Sequence, residues 1–271
     1  MMEDRNLRTV GLVVIGNEVL DGIVLDTNSN WMELRLTALG LEVKRLVSVR
    51  DQLDEIGEAL RFVCDACDVV ITTGGLGPTH DDMTLHAVAL ALGVETAEHP
   101  EAIAIVERQY KNLYERGIVK SPDITPSRRK MARLPLGGVP LDNTVGGAPG
   151  VRIDHDGTTI FCLPGVPSEL KFIFEDSLVP WLRARIQTNY VESIVEFDIN
   201  DESVFSPAID KVMKKYPEVY IKSMPKTYGT TWTLRIWLSA RGADSAHLQD
   251  QITKAKQYLE DITGIISRPV E

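Results

Sequence analysis

The chain has 271 residues and a formal net charge of −10, from 29 Lys+Arg against 39 Asp+Glu. Its 44% hydrophobic and 25% charged residues are ordinary for a folded protein and exclude disorder over most of the chain. Because phosphate backbones require a basic face, this acidic chain is not expected to bind nucleic acid. It has neither a membrane-spanning apolar run nor a signal peptide, and only three cysteines. We therefore expect a cytoplasmic protein with no membrane partner.

The first third of the chain alternates strand and helix patterns. The sequence predicts strands at Thr9–Ile15, 41–49 and 68–73, and helices beginning at Asp26 or Thr27, at Leu53 and at Asp82. The first of these strands is continuously apolar, which is typical of a strand covered on both faces of its sheet. Strands separated by single helices indicate βαβ units, and therefore a parallel sheet in an α/β fold.

The rest of the chain predicts further elements and a second, smaller domain. A helix is expected from Pro100 to about Tyr114, then loops over 117–150 with a short helix near Ser127, a hairpin around His155-Asp156-Gly157, and a helix interrupted near Pro180. After Arg185 the order becomes β-α-β-β-α, with strands at 191–199, 219–224 and 230–239 and helices at 203–216 and 244–261. This order predicts a small α+β domain of ferredoxin-like type. We divide the chain into domains 1–175 and 176–271.

A glycine-rich loop, TTGGLGPTHDDMT at 72–84, carries the strongest local signal. Gly74, Gly75 and Gly77 directly follow a predicted buried strand, and Thr79 adds a hydroxyl. Glycine lets main-chain N–H groups converge on phosphate oxygens, and open α/β sheets bind ligands at the carboxyl ends of their strands. The spacing matches neither the P-loop nor the dinucleotide fingerprint. These residues are predicted to bind a nucleotide diphosphate.

Two carboxylates, Asp81 and Asp82, end this loop. They would repel a bare diphosphate, whereas a divalent cation bound between them would attract it. We predict a metal site of His80, Asp81 and Asp82, with Mg²⁺, Mn²⁺ or Co²⁺ as the cofactor. The alternatives are that an aspartate caps the following helix, and that His80 is a general acid/base or a solvated loop residue.

Other polar and glycine residues follow predicted strands and are expected at the same edge of the sheet. For each one alone, turn chemistry is the alternative explanation. Lys171 and Arg129 are candidates to neutralise further charge. The additional candidate binding residues are Gly16, Glu18, Asn143, Gly147, Pro164 and Gly165, and the candidate catalytic residues are Asp51 and Asp82.

These segments resemble the N-terminal, molybdopterin-binding-like part of competence/damage-inducible protein A (CinA), over essentially the whole chain. More distantly they are similar to MogA, MoaB, gephyrin and the first domain of eukaryotic FAD synthase. The matching segments are 15–22, 26–28, 72–84, 141–150, 163–170 and 221–225.

The resemblance implies a doubly wound, mostly parallel α/β domain of MogA/MoaB type and metal-dependent ADP-ribose pyrophosphatase activity. It implies that Asp51 and Asp82 correspond to two essential aspartates of the molybdopterin adenylyltransferases. It also implies a nucleotide or pterin ligand and a homo-oligomer, a dimer or a trimer. Asn17 replaces the family's aspartate and Thr144 its proline. We expect no counterpart of the family's deamidase domain.

Three functions follow as hypotheses. The first is a metal-dependent pyrophosphatase of ADP-ribose or a similar dinucleotide. The second is molybdopterin binding with adenylyl transfer, which would use the same loop for ATP. The third is a non-catalytic nucleotide sensor or scaffold, for which Asn17 would mark lost metal chemistry.

Overall fold

The computed structural model describes residues 6–199, 202–224 and 233–270. These form two compact units, one of Met1–Thr37 with Leu41–Ile186 and one of Ala38–Gly40 with Gln187–Glu271. The predicted boundary at residue 175 falls inside a continuous helical stretch. Ring contacts hold that stretch in the first unit, since Phe174 packs edge-on against Trp31 and Trp181 against Phe161. The division of the chain therefore comes after Ile186.

The first unit is built on a six-stranded sheet. Its first half comprises β1 Thr9–Ile15, α1 Asn17–Leu20, α2 Thr27–Ala38, β2 Glu42–Val49, α3 Leu53–Cys64, β3 Val69–Thr73, α4 Thr84–Leu92 and β4 Thr96–Glu98. Its second half comprises α5 Pro100–Glu115, α6 Pro126–Lys130, β5 Arg133–Pro135, β6 Val139–Leu141, β7 Gly150–His155, β8 Thr158–Leu163, α7 Pro167–Ile173, a π-helical turn Phe174–Leu178 and α8 Val179–Arg183.

The sheet has the order β2-β1-β3-β8-β7-β6, and its first four strands are parallel. Strands β7 and β6 each run antiparallel to their neighbour, so β6 has the direction of β8. Strand β1 is buried at every position after Thr9, as its continuous apolar pattern predicted, and β3 and β8 are buried at every position. The mostly parallel α/β sheet is confirmed, and the carboxyl ends of β1, β2, β3, β8 and β6 lie at one edge.

The predicted elements are recovered with some differences. The hairpin between β7 and β8 turns at Asp156 (φ 44°) and Gly157 (φ 86°), as an Asp-Gly turn requires. Helix α4 begins at Thr84 rather than at Asp82. The stretch predicted as loops contains β5, which pairs with β4, and β6, which joins the sheet. Strands of three residues show too few alternations for their pattern to be recognised.

The second unit is a four-stranded antiparallel sheet, β10-β11-β9-β12, with two helices packed against it. Phe197, Phe205, Val212, Ile236 and Leu259 contribute to its core. The β-α-β-β-α order is confirmed, and β12 is an addition. The predicted strand 230–239 is observed from Leu234, and its residues 230–232 lie outside the described residues. The elements are β9 Asn189–Phe197, α9 Glu202–Lys215, β10 Val219–Met224, β11 Leu234–Gly242, α10 Ser245–Thr263 and β12 Arg268–Pro269.

Helix length and polarity bear on membrane insertion. Over residues 6–199, 202–224 and 233–270, we find no helix that combines the length and the apolar character needed to cross a bilayer.

Candidate functional site

The carboxyl edge of the sheet opens into a cavity of about 640 Å³, which we call the main cavity. It lies where β1, β2, β3 and β8 end, as expected for an open α/β sheet. Loops that are distant in sequence meet here because their strands are parallel neighbours. The predicted residues that line it are Gly16, Glu18, Asp51, Gly74, Gly75, Gly77, Asp81, Asp82, Gly147, Pro164 and Gly165.

Two glycines of the loop after β3 are required by packing within the protein. Gly74 has φ 104°, and a Cβ there would lie 2.1 Å from the main-chain oxygen of Ile15. Gly75 has φ 67°, and its Cβ would lie 2.2 Å from Oγ1 of Thr84. That hydroxyl donates a 2.8 Å hydrogen bond to the carbonyl of Gly74. The glycines therefore place the loop against β1 and α4, in addition to exposing its backbone to the cavity.

The charged side chains of the main cavity are negative. Six carboxylate residues line it, and among its described lining residues there is no lysine, arginine or histidine. Neither of the predicted additional cations lies there, since Arg129 pairs with Glu98 at 2.8 Å and Lys171 lies 5.4 Å from the ring of Trp31. An anionic ligand would meet these negative side chains, and no positive one among the described lining residues. The carboxylates belong to Glu18, Asp26, Asp51, Asp81, Asp82 and Glu169.

The surroundings of Asp51 favour its protonated form. Burial raises the pKa of its carboxyl, and the charges of Glu18, Asp81 and Asp82 raise it further. Opposing them, the main-chain N–H of Asn17 donates to Oδ2 at 2.9 Å and lowers the pKa. A carboxylate that is shielded from water and surrounded by like charges binds a proton or a cation more readily.

Asp81 and Asp82 are held by Thr79 and not by the following helix. The main-chain N–H of Thr79 donates to Oδ2 of Asp82 at 2.8 Å, and its hydroxyl contacts both carboxylates. The hydrogen bond from Thr79 lowers the pKa of Asp81. Helix α4 has no side-chain cap, so the capping alternative is wrong. Thr79, predicted to bind a ligand, lies outside the main cavity's lining and orients the two carboxylates.

The three residues predicted as metal ligands are divided between two cavities. Asp81 lines the main cavity, His80 a second cavity and Asp82 both. The side chain of His80 is 99% exposed, with Nδ1 3.9 Å from Oδ1 of Asp81. Over the described ranges, no three His, Cys, Asp or Glu side chains form a group that could hold a metal ion by themselves. A cation here would need oxygen ligands from the substrate.

Asn143 is fully buried and organises a loop instead of lining the cavity. Its Oδ1 accepts from the N–H groups of Val145 and Gly146 at 3.0 and 2.9 Å. Its Nδ2 donates to the carbonyl of Ala148 and to Oε2 of Glu169, each at 2.7 Å. Glu169 lines the cavity, and burial raises its pKa while the Asn143 bond opposes that rise.

Several lining residues were not predicted as site residues. Asn28 donates from Nδ2 to the carbonyl of Gly165 at 2.7 Å, while its Oδ1 is buried and makes no hydrogen bond. The segment 26–28 was interpreted as a helix start, and Asp26 does cap α2, since its Oδ1 accepts from the N–H of Ser29. Tyr110 comes from the middle of α5, where no local pattern marks a site. The unpredicted polar and large residues are Asp26, Thr27, Asn28, Tyr110, Met131 and Glu169.

A mostly parallel sheet with a polar cavity at its carboxyl edge defines a small-molecule-binding α/β protein. Residues 11–184 match the family described as "probable molybdopterin binding domain". This chain belongs to that family.

Relatives and a solved structure agree with this assignment. A protein of Pyrobaculum arsenaticum is 39% identical over 260 residues, covering 95% of both chains. A protein of Aeropyrum pernix is 38% identical over 265 residues, covering 94% of this chain and 95% of that one. The CinA protein of Thermoplasma acidophilum, whose function is given as unknown, is similar in structure. Its TM-score is 0.59 at 35% identity, covering 65% of this chain and 98% of that one. The resemblance to CinA is confirmed.

Proposed function

We propose that this protein hydrolyses the diphosphate bond of ADP-ribose or a similar dinucleotide, with a divalent cation bound in the main cavity. One observation carries the proposal: six carboxylates and no cationic side chain line the cavity onto which the glycine loop opens. A negatively charged substrate can enter such a cavity only together with a cation.

The magnitude of the repulsion supports this requirement. Two unit charges 4 Å apart interact by roughly 1 kcal/mol in water and about 4 kcal/mol near a protein surface. Several uncompensated carboxylates would therefore exclude a diphosphate. Mg²⁺ is typically held by one or two carboxylates together with substrate phosphates. Asp81 and Asp82, with Glu18 and Asp51 nearby, provide this donor type, so the residues present fit the cation.

The shape and polarity of the cavity suit a dinucleotide. A volume of about 640 Å³ falls within the usual range of small-molecule sites. Tyr110 offers an aromatic ring against which a base can pack. Thr27 and Asn28 add neutral polar side chains to its lining.

We propose separate roles for the side chains. A bound cation supplies neutralisation of charge on the phosphate oxygens and a lower pKa for a bound water. Asp51 would accept the proton of the attacking water at Oδ1, because Oδ2 is held by Asn17. Thr79 keeps Asp82 oriented towards the substrate.

Release of AMP from ADP-ribose tests the proposal. We expect turnover with Mg²⁺, Mn²⁺ or Co²⁺ and none with EDTA. Asp51→Asn and Asp82→Asn should each reduce kcat about 100-fold or more. The control is Asp156→Asn, whose side chain is 91% exposed in the hairpin turn. If the folded protein releases no AMP with any of these metals, the proposed hydrolase activity is refuted.

A second candidate is adenylyl transfer to a pterin, which the family's description favours. It would use the same cavity and cation, with ATP as the nucleotide. Pyrophosphate release from ATP that depends on added molybdopterin would establish it in place of hydrolysis. Nucleotide binding by calorimetry without turnover of either substrate would instead indicate the third hypothesis, a sensor or scaffold.

A further inference from the structure

The glycine loop separates the main cavity from a second cavity of about 390 Å³. The second cavity is enclosed by the starts of α3 and α4, the end of α6 and strands β4 and β5. Gly75–Gly77, Asp82 and Met131 line both cavities. Residues that line only the second one include Leu53, Met83, Leu85, His86, Lys130 and Arg133.

The charge of the second cavity is the reverse of that of the main cavity. Lys130 and Arg133 line it, accompanied by two histidines, and Asp82 is its one acidic residue. Lys130 donates to the carbonyl of Thr79, and Arg133 donates to that of Thr96 at 3.0 Å. Across the described residues, no carboxylate lies within 4.0 Å of either cation. Their neighbour Arg129, by contrast, is paired with Glu98.

The remaining walls are apolar. Leu76 and Leu85 are buried beneath the cavity, and Leu53, Met83 and Met131 complete its sides. Apolar walls bind the body of a ligand, whereas cations bind an anionic group and fix its orientation. Lys130 lowers the pKa of Asp81 electrostatically, but neither it nor Arg133 is held in an ion pair among the described residues. Helix α4 also starts here without a side-chain cap, which adds a positive potential.

We propose that the second cavity is a binding site for a small organic anion, one phosphate or carboxylate group on an apolar or aromatic body. The site differs from the main cavity in charge, and the glycine loop lies between the two. The proposal does not depend on the hydrolase activity, because none of its cationic residues lines the main cavity.

Methyl NMR of the full chain labelled at methionine tests the proposal. Phenyl phosphate and benzoate are the two probes. The probe that binds with the higher affinity shows whether the site prefers a phosphate or a carboxylate. Met83 lines only the second cavity. Its methyl resonance should shift as probe is added, and the shift should saturate. The buried Met32 methyl, which lines neither cavity, should stay in place.

Charge removal identifies the residues that bind the anion. Lys130→Met and Arg133→Met should each weaken binding of the better probe about tenfold. Lys111→Met removes one exposed positive charge from α5 outside both cavities and should leave binding unchanged. The proposal is overturned if Met83 does not shift with either probe at millimolar concentration. It is equally overturned if the Lys130 and Arg133 variants, shown to be folded by their spectra, bind like the Lys111 variant.

Discussion

The main-chain N–H of Asn17 donates a 2.9 Å hydrogen bond to Oδ2 of Asp51. The side chain of Asn17 is engaged elsewhere, because its Oδ1 accepts from Arg50 at 3.4 Å. Arg50 in turn forms a 2.7 Å ion pair with Asp21. Asn17 is also absent from the lining of the main cavity. Its contribution to the site is therefore a main-chain one, which any residue other than proline could make.

Asn17→Asp should consequently have little effect on metal dependence. The new carboxylate would face Arg50, and an exposed pair of this kind is worth about 0–1 kcal/mol. We expect the apparent metal affinity and kcat to stay within about threefold of the parent, as measured by AMP release against Mg²⁺ concentration. Metal binding that became tenfold tighter would show that the side chain reaches the cation.

Asp51→Asn should stabilise the fold while it removes activity. Burial and neighbouring carboxylates raise the pKa of Asp51, so the folded state holds its proton more strongly than the unfolded state. The protonated carboxyl therefore stabilises the folded state at pH values below the pKa that Asp51 has in the unfolded chain. This stabilisation is lost as pH rises through the pKa that Asp51 has in the folded state. Asparagine removes the charge and can still accept from Asn17. We expect Tm at neutral pH to rise by about 1–3 °C.

Thermal melts at neutral and acidic pH show whether Asp51→Asn raises or lowers Tm. The increase in Tm should disappear below about pH 3, where the Asp51 carboxyl is protonated and, like asparagine, carries no charge. Asp156→Asn, in the exposed turn, should shift Tm at neither pH. A lower Tm for Asp51→Asn at neutral pH would contradict the prediction and show that the charged form is stabilised by an interaction with the protein.

Gly74→Ala should disrupt the loop by steric overlap as well as by backbone strain. Its Cβ would lie 2.1 Å from the main-chain oxygen of Ile15, which cannot move without shifting β1. Gly22 also has positive φ, but its Cβ would meet nothing within 4 Å. Gly22→Ala should cost about 1 kcal/mol and Gly74→Ala at least about 3 kcal/mol in urea unfolding. Equal losses would contradict the close contact with Ile15.

Asn143→Asp should destabilise the first unit despite its small change in shape. The amide Nδ2 donates to Ala148 and Glu169, and an oxygen there would face two acceptors. Its burial prevents water from replacing the lost donor. We expect a loss of about 3 kcal/mol in the free energy of unfolding. Asn30→Asp, at an exposed position of α2, should be nearly neutral. A neutral Asn143→Asp variant would refute the positioning role.

Much of the fold could be predicted because its signals are local. Strand β1 is apolar after Thr9, and Asp156-Gly157 specifies a hairpin turn. The short strands β4, β5 and β6 were missed, since β4 pairs with β5 across α5 and α6, and β6 joins the sheet through β7. Some of the residues that line the main cavity were predicted from the rule that the carboxyl ends of parallel strands lie at one edge of a sheet.

The sequence by itself determined the α/β class, the glycine loop and the carboxylates that follow it, because each depends on short spacings along the chain. The tertiary structure alone decided which side of the loop each residue faces. It placed Asp81 in the acidic cavity and His80 in the cationic one, and it brought Asn28 to Gly165 across 137 residues. The physical reason is that charge and hydrogen-bond complementarity depend on distances between elements, which the order of strands in the sheet sets and local patterns do not encode.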